Sequence, residues 1–285
     1  MLDATIAIAC YSQAAYLAEA IESALAQGAA EVIVVDDGST DGSATVARSF
    51  AGVTYHHQAN AGLSAARNTG LALARTSTIL FLDADDRLRP GTLAAATERL
   101  RAAPGAAFVY GGYRDIAADG APISEHPPVT KPASFAALLH DNYIGMHGTV
   151  LYDTAALRAI GGFDTSLTSC EDWDAYLRLA RHHPIASYPL IAADYRRHPH
   201  GMSRNLARMA AMTERVLAKQ AEGLSAGEAA ALRAGRDFAR RQRSLALIGA
   251  MRATPGRALA LAWLGWRHDA RFPLRLAHAA LRRLG

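Results

Sequence analysis

The chain has 285 residues, 51% of them hydrophobic and 20% charged, with 30 Lys and Arg against 26 Asp and Glu for a net charge of +4. That hydrophobic fraction suffices for a full core and excludes an intrinsically disordered chain. Cys10 and Cys170 are the only cysteines, which excludes a disulfide scaffold and a zinc site built from cysteine alone.

The first hundred residues alternate apolar strands with helices. Thr5–Cys10 is a predicted strand, and Ala14–Gln27 carries Leu17, Ile21, Ala24 and Leu25 at helical spacing. Strands follow at Glu31–Val35, Val53–His56 and Thr78–Leu82, with helices at Thr45–Phe50 and Ser64–Arg75 between them. Pro90 is expected to open a helix to about Arg101, as Pro does at a first helical position. Strands separated by helices predict a mostly parallel sheet flanked by helices, with ligands beyond the carboxyl ends of its strands. Farther on, Ala106–Tyr113 and His147–Tyr152 read as strands and Ala118–Lys131 as a Pro-containing loop. Asp153 is placed to cap a helix that Gly161-Gly162 ends. Glu171–His182 reads as a helix and Ile185–Arg196 as a strand.

Beyond Gly201 the pattern is all helical. Ser225-Ala226-Gly227-Glu228 is a capping box. Pro273 opens a last helix with Ala277, Ala280, Leu281 and Leu284 on one face and Arg275, His278, Arg282 and Arg283 on the other. Residues 201–285 hold 16 Lys and Arg against 5 Asp and Glu, a balance of +11, and residues 1–200 hold 14 against 21, a balance of −7. A basic appendage of this kind is suited to an anionic partner. It lacks a nucleic-acid motif and has few aromatics for base stacking, so the expected partner is an anionic membrane surface and not nucleic acid. No apolar run approaches the ~18 residues needed to cross a bilayer. The N-terminus lacks the basic start of a signal peptide, so a soluble or surface-bound cytoplasmic protein is expected, peripheral at the inner face of the plasma membrane.

Two acidic clusters end expected strands: Asp36-Asp37-Gly38-Ser39 and Asp83-Ala84-Asp85-Asp86. Asp-Gly-Ser alone is ordinary turn chemistry. Two such clusters at one sheet edge repel unless a cation neutralises them. Alternation along an extended segment would point Asp83 and Asp85 the same way, toward Mg2+ or Mn2+ shared with substrate phosphates.

Five motifs in order resemble a family 2 glycosyltransferase with the GT-A fold, a Rossmann-like sheet flanked by helices. They are Val34 to Ser43, Asn60 to Gly70, Phe81 to Asp86, Gly161-Gly162-Phe163-Asp164 with Glu171-Asp172-Trp173-Asp174, and Tyr195-Arg196-Arg197-His198 with Ser203. The resemblance covers a domain of residues 1–203 and leaves 204–285 as an all-helical basic extension. It implies an inverting, metal-dependent glycosyltransferase moving a sugar from a nucleoside diphosphate, preferably a UDP-sugar, to a glycan or lipid-linked acceptor in cell-surface polysaccharide synthesis. On it, Ala9, Tyr11, Asp37, Arg67 and Asp83 hold the nucleotide, Asp37 accepting from an imide N–H. Asp85 ligates Mn2+ or Mg2+, with His198 as a further ligand or phosphate contact. Asp172 is the implied general base, since its neighbours outweigh the plainer reading of Glu171 and Asp172 as acidic residues at a helix N-terminus. Glu171, Trp173, Arg196 and His147 are implied on the acceptor side or in support. Ser12 departs from the family, which more often has Asn there.

Two other readings stay open. A sugar nucleotidyltransferase predicts a Gly-rich basic loop, which Ala9-Cys10-Tyr11-Ser12-Gln13 is not. A non-catalytic nucleotide-sugar-binding protein predicts loss of Asp85 or Asp172, and both are present.

Overall fold

The first half of the chain runs β1 (Leu2–Cys10), α1 (Leu17–Leu25), β2 (Ala29–Asp36), α2 (Ser43–Arg48), β3 (Val53–His57), α3 (Leu63–Leu73) and β4 (Thr78–Asp83) in the computed structural model. The structure describes residues 1–129, 133–198, 205–253, 258–269 and 271–281. β1 is buried without interruption from Ala4 to Cys10, as expected of a strand in a sheet covered on both faces. It pairs in parallel with β2 and β4, and β2 with β3. Side chains on one face of β1, Ile6 and Ile8, pack with Leu17, Ile21, Leu80 and Leu82 into one core cluster.

The second half adds β5 (Arg87–Leu88), α4 (Thr92–Arg101), β6 (Phe108–Ala117), β7 (Pro122–His126), α5 (Phe135–His140), a 3-10 turn at His147–Thr149, β8 (Val150–Asp153), α6 (Thr154–Ala159), α7 (Glu171–Ala180) and β9 (Ile185–Arg197). The sheet order is β3-β2-β1-β4-β8-β6-β9-β5, with β7 on β6. The fold is thus a mixed α/β sheet flanked by helices. Its β1 side is parallel, but β4/β8, β6/β8, β6/β7 and β5/β9 are antiparallel, so the parallel character is confined to one half and to β6/β9.

Several expectations shift. The segment Ala118–Lys131, read as a loop, contains β7, and its residues 130 and 131 lie outside the described ones. His147 sits in the 3-10 turn rather than on a strand. The helix expected from Pro90 starts at Thr92, because Gly91 takes a left-handed φ of 79° at its N-cap. Asp153 caps α6 as expected, its Oδ1 accepting from Ala156 N at 2.8 Å.

The chain divides into two units, Met1–Leu138 with Asn142–Gly201, and Leu139–Asp141 with Met202–Gly285. The second unit contains α8 (Leu206–Lys219), α9 (Ala226–Ala253), α10 (Ala258–His268) and α11 (Phe272–Leu281). The capping box forms at α9, with Ser225 N donating to Glu228 Oε2 at 2.8 Å. Leu247, Ile248 and Phe272 make a small core against Leu206, Met251 and Leu261. The expected last helix starts at Phe272; Ser203, Arg282, Arg283 and Leu284 lie outside the described residues. Among the described residues, no helix is long and apolar enough to cross a membrane.

Gly161 and Gly162 both have positive φ, 77° and 69°. A Cβ on Gly161 meets open space, whereas one on Gly162 runs into Asn68 Oδ1, the atom that accepts from Phe163 N at 2.8 Å while Asn68 Nδ2 donates to Phe163 O. Gly161→Ala should therefore cost about 1–2 kcal/mol for the left-handed backbone alone. Gly162→Ala should cost more, seen as a larger drop in the urea midpoint. Equal drops would mean that the Asn68 clasp adds nothing to stability.

Candidate active site

The carboxyl ends of β2, β3 and β4 carry the first three motifs to one edge of the sheet, with the end of β1 between β2 and β4. Asp36 is fully buried and accepts from Ser39 N at 2.9 Å and from Tyr55 Oη at 2.6 Å; those bonds hold its carboxyl below the usual range despite burial. Asp37 accepts from Gln58 Nε2 at 2.7 Å, Ala61 N at 2.9 Å and Gly62 N at 2.8 Å. It thus ties the first motif to the second. Gly38 is required between them: its φ is 79°, and a Cβ would lie 2.9 Å from Asn60 N. Ala9 takes Ala84 N on its carbonyl at 3.2 Å, and Tyr11 is exposed beside it. Ser12 has a φ of 53°, a conformation that Asn adopts more readily than Ser.

The third motif does not continue as a strand. β4 ends at Asp83 and the chain turns, with Asp86 N donating to Asp83 O at 3.0 Å. The expected alternation that would point Asp83 and Asp85 alike therefore fails, and each acidic side chain finds its own partner. Asp83 accepts from Arg67 Nη2 at 2.7 Å. Asp85 Oδ2 lies 2.8 Å from His198 Nε2. Asp86, buried, accepts from Arg196 N at 2.8 Å. Burial and the Asp83 charge raise the Asp85 carboxyl, His198 opposing them. Burial and the charges of Asp85 and Asp83 raise Asp86 well above its usual range. An oxygen and imidazole set short of compensating positive charge fits a hard divalent cation. Among the described residues, no three His, Cys, Asp or Glu gather closely enough to hold one alone.

Arg196 is buried and its side chain is spent within the protein. Its guanidinium donates to Asp85 O, Ala118 O and Glu19 Oε2 at 2.8, 2.8 and 2.7 Å, over the ring of Tyr16. It fixes the turn that carries Asp85.

Across from this turn, Cys170 caps α7 in the left-handed region at φ 61°, a strained position for a residue with a side chain. It presents Glu171 and Asp172 in succession. Glu171 is buried and accepts from Arg67 Nη1 at 2.5 Å. Asp172 keeps some exposure and accepts from Trp173 N at 2.7 Å. Burial first, then the Glu171 charge, pushes its carboxyl up to about 7, with Arg67 acting against them. Trp173 is core, its Nε1 donating to Leu138 O at 3.0 Å. Asp174, fully buried, accepts from Arg178 at 2.7 Å, and Arg178 also donates to the carbonyls of Ile160 and Gly162.

His147 does not face an acceptor. It is 5% exposed, shares a hydrogen bond with Tyr152 Oη at 2.8 Å and is enclosed by Phe81, Phe163 and Tyr176. Burial and the Arg67 charge keep it neutral. The Arg67–Glu171 pair joins residues 104 apart in sequence, a distance over which no local pattern signals a partner. One signal of burial was available: Arg67 shares a helical face with Ser64, Gly70 and Leu71, all buried.

The sequence profile of Glycosyl transferase family 2 matches residues 5–161. Chondroitin synthase of Escherichia coli is 28% identical over 214 residues, 72% of this chain and 30% of that protein. Succinoglycan biosynthesis protein ExoU of Rhizobium meliloti is 44% identical over 97 residues, 32% of this chain and 28% of that protein. The chain therefore spans less than a third of the length of these curated relatives. Among solved structures, S. aureus TarS 1–349 in complex with UDP-GlcNAc superposes with a TM-score of 0.69 at 17% identity, covering 95% of this chain and 83% of that one. The mannosyltransferase PcManGT from Pyrobaculum calidifontis, in complex with GDP-Man and Mn2+, does so with a TM-score of 0.64 at 21% identity, covering 98% and 84%. With the profile spanning more than half of its length, the chain belongs to glycosyl transferase family 2.

Proposed function

We propose that residues 1–203 transfer a sugar from a nucleoside diphosphate donor, a UDP-sugar by preference, to a hydroxyl of a glycan or lipid-linked acceptor in cell-surface polysaccharide synthesis. The observation that carries this reading is the meeting of Asp83 and Glu171 on one guanidinium. It brings their neighbours Asp85 and Asp172 to the same sheet edge, one for the diphosphate and one for the acceptor. Ala9, Tyr11 and Asp37 receive the nucleoside, and Asp83 its ribose or a metal-bound water. Preference for uracil rests on Asp37 as acceptor for an imide N–H, and the TarS complex with UDP-GlcNAc supports it. The PcManGT complex with GDP-Man makes guanosine the competing outcome.

Asp85 and His198 would hold Mn2+ or Mg2+, the remaining ligands coming from diphosphate and water. When bound, the ion neutralises charge on the departing diphosphate. Glu171 is committed to Arg67, which leaves Asp172 as the carboxylate to take the proton of the attacking hydroxyl. The bond from acceptor oxygen to the anomeric carbon forms as the bond to the diphosphate breaks. Attack from the opposite face inverts that carbon.

The second unit is assigned to attachment at an anionic membrane surface on the cytoplasmic side. Leu259, Trp263 and Trp266 are exposed at i, i+4 and i+7 of α10, with Arg267 against the Trp263 ring at 5.3 Å. Such a face suits the headgroup boundary. The 285-residue chain should float with phosphatidylglycerol vesicles and not with phosphatidylcholine vesicles, and the Leu259→Ser, Trp263→Ser, Trp266→Ser triple variant should stay behind. Equal flotation of the variant removes this assignment.

Calorimetry with UDP-, dTDP- and GDP-sugars tests the donor site. A uridine or thymidine donor should bind best, at least about tenfold more weakly with EDTA than with Mn2+. Asp172→Asn should leave that binding intact and lower transfer by roughly 10²–10⁴-fold. Transfer near the wild-type rate overturns the base assignment.

A further inference from the structure

Arg67, expected from the resemblance to hold the nucleotide, is a buried charge whose fork is taken up by two carboxylates, and the transfer step gives it no further task. Its side chain is 2% exposed, and its fork ends on two carboxylates from different elements, Asp83 of β4 at 2.7 Å and Glu171 of α7 at 2.5 Å. As a device for stability this is a poor choice. A buried ion pair is often no more stabilising than apolar residues of the same volume, and Arg67 Nε has no hydrogen-bond partner, which adds a desolvation cost. The location explains more than the energy does. One end of the fork holds the residue two before Asp85, and the other holds the residue immediately before Asp172.

The groups facing Asp172 define a local charge balance. Glu171 beside it on α7 and Asp83 on β4 disfavour its ionised form, and Arg67 on α3 favours it. Tyr152 on β8 and Tyr176 on α7 are phenols that burial keeps protonated. Behind these two rings, His147 of the 3-10 turn is neutral and adds no charge. Arg67 is therefore the cation among these groups, set against three carboxylates.

We propose that Arg67 is a positioning residue for the transfer reaction: its fork fixes the spacing between the donor-side Asp83 and the base helix α7, and its charge favours the ionised, proton-accepting form of Asp172. This rests on the reading of Asp172 as base. Removing a cation raises the midpoint of a neighbouring carboxyl, and a base that must be ionised then works only at higher pH. A side chain that merely packed would, when lost, lower transfer equally at every pH.

The test is a pH titration of the 285-residue chain carrying 13C-carboxyl aspartate, with the Asp172 signal identified by its loss in Asp172→Asn. The wild-type midpoint should lie at about 7. In Arg67→Gln it should rise by about 1–3 units, and transfer should fall at pH 7 by on the order of tenfold or more while recovering at higher pH. Arg67→Lys should return the midpoint toward the wild-type value, though not the full rate, because an ammonium cannot span both carboxylates. If Arg67→Gln does not fold, Glu171→Gln carries the test, and its midpoint must fall because a like charge is lost. An unmoved midpoint in Arg67→Gln, or an unmoved or raised one in Glu171→Gln, overturns the proposal. Transfer surviving in Asp172→Asn instead refutes the base and leaves the titration result standing.

Discussion

One buried guanidinium organises this sheet edge. Arg67 joins partners 16 and 104 residues away in sequence, so α3 holds together the end of β4 and the start of α7. The adjacent Asn68 clasps the backbone of Phe163 with both ends of its amide. Two consecutive residues on one turn of α3 thus fix both the turn that bears the carboxylate cluster and the Gly-Gly-Phe-Asp segment leading to α7. A guanidinium suits this task, since its planar fork can meet two carboxylates at once.

The carboxylates at this edge are separated by their partners. Asp36 is satisfied by hydroxyl and backbone donors, and Asp37 by a side-chain amide and the backbone of the second motif. Asp83, Asp85 and Asp86 go to Arg67, His198 and the Arg196 backbone. Burial first, and then the charges of the neighbouring carboxylates, raise Asp85 and Asp86. Electrostatic deficit of this kind marks places where a ligand completes the balance.

What the sequence made legible were features with local physical signals. Strand β1 could be read from an unbroken apolar run, the α6 cap from Asp153, the capping box from Ser225 and Glu228, and the sheet edge from acidic clusters that end apolar runs. Features created by tertiary pairing were not legible. Nothing local in Arg196 says that three of its donors are taken by Asp85, Ala118 and Glu19. Nothing beside His147 in sequence names its partners, yet four aromatic rings enclose it. The D-A-D alternation assumed an extended chain, whereas the strand ends at its first aspartate. The antiparallel half of the sheet depends on long connections whose direction periodicity does not encode.

The central claim is a single displacement at the anomeric carbon, with donor and base on opposite faces of the sugar. Proton NMR of the glycoside product reads its outcome directly. From an α-linked donor, the account predicts a β-linked product by its anomeric coupling constant, and a product that retains the α configuration would contradict it.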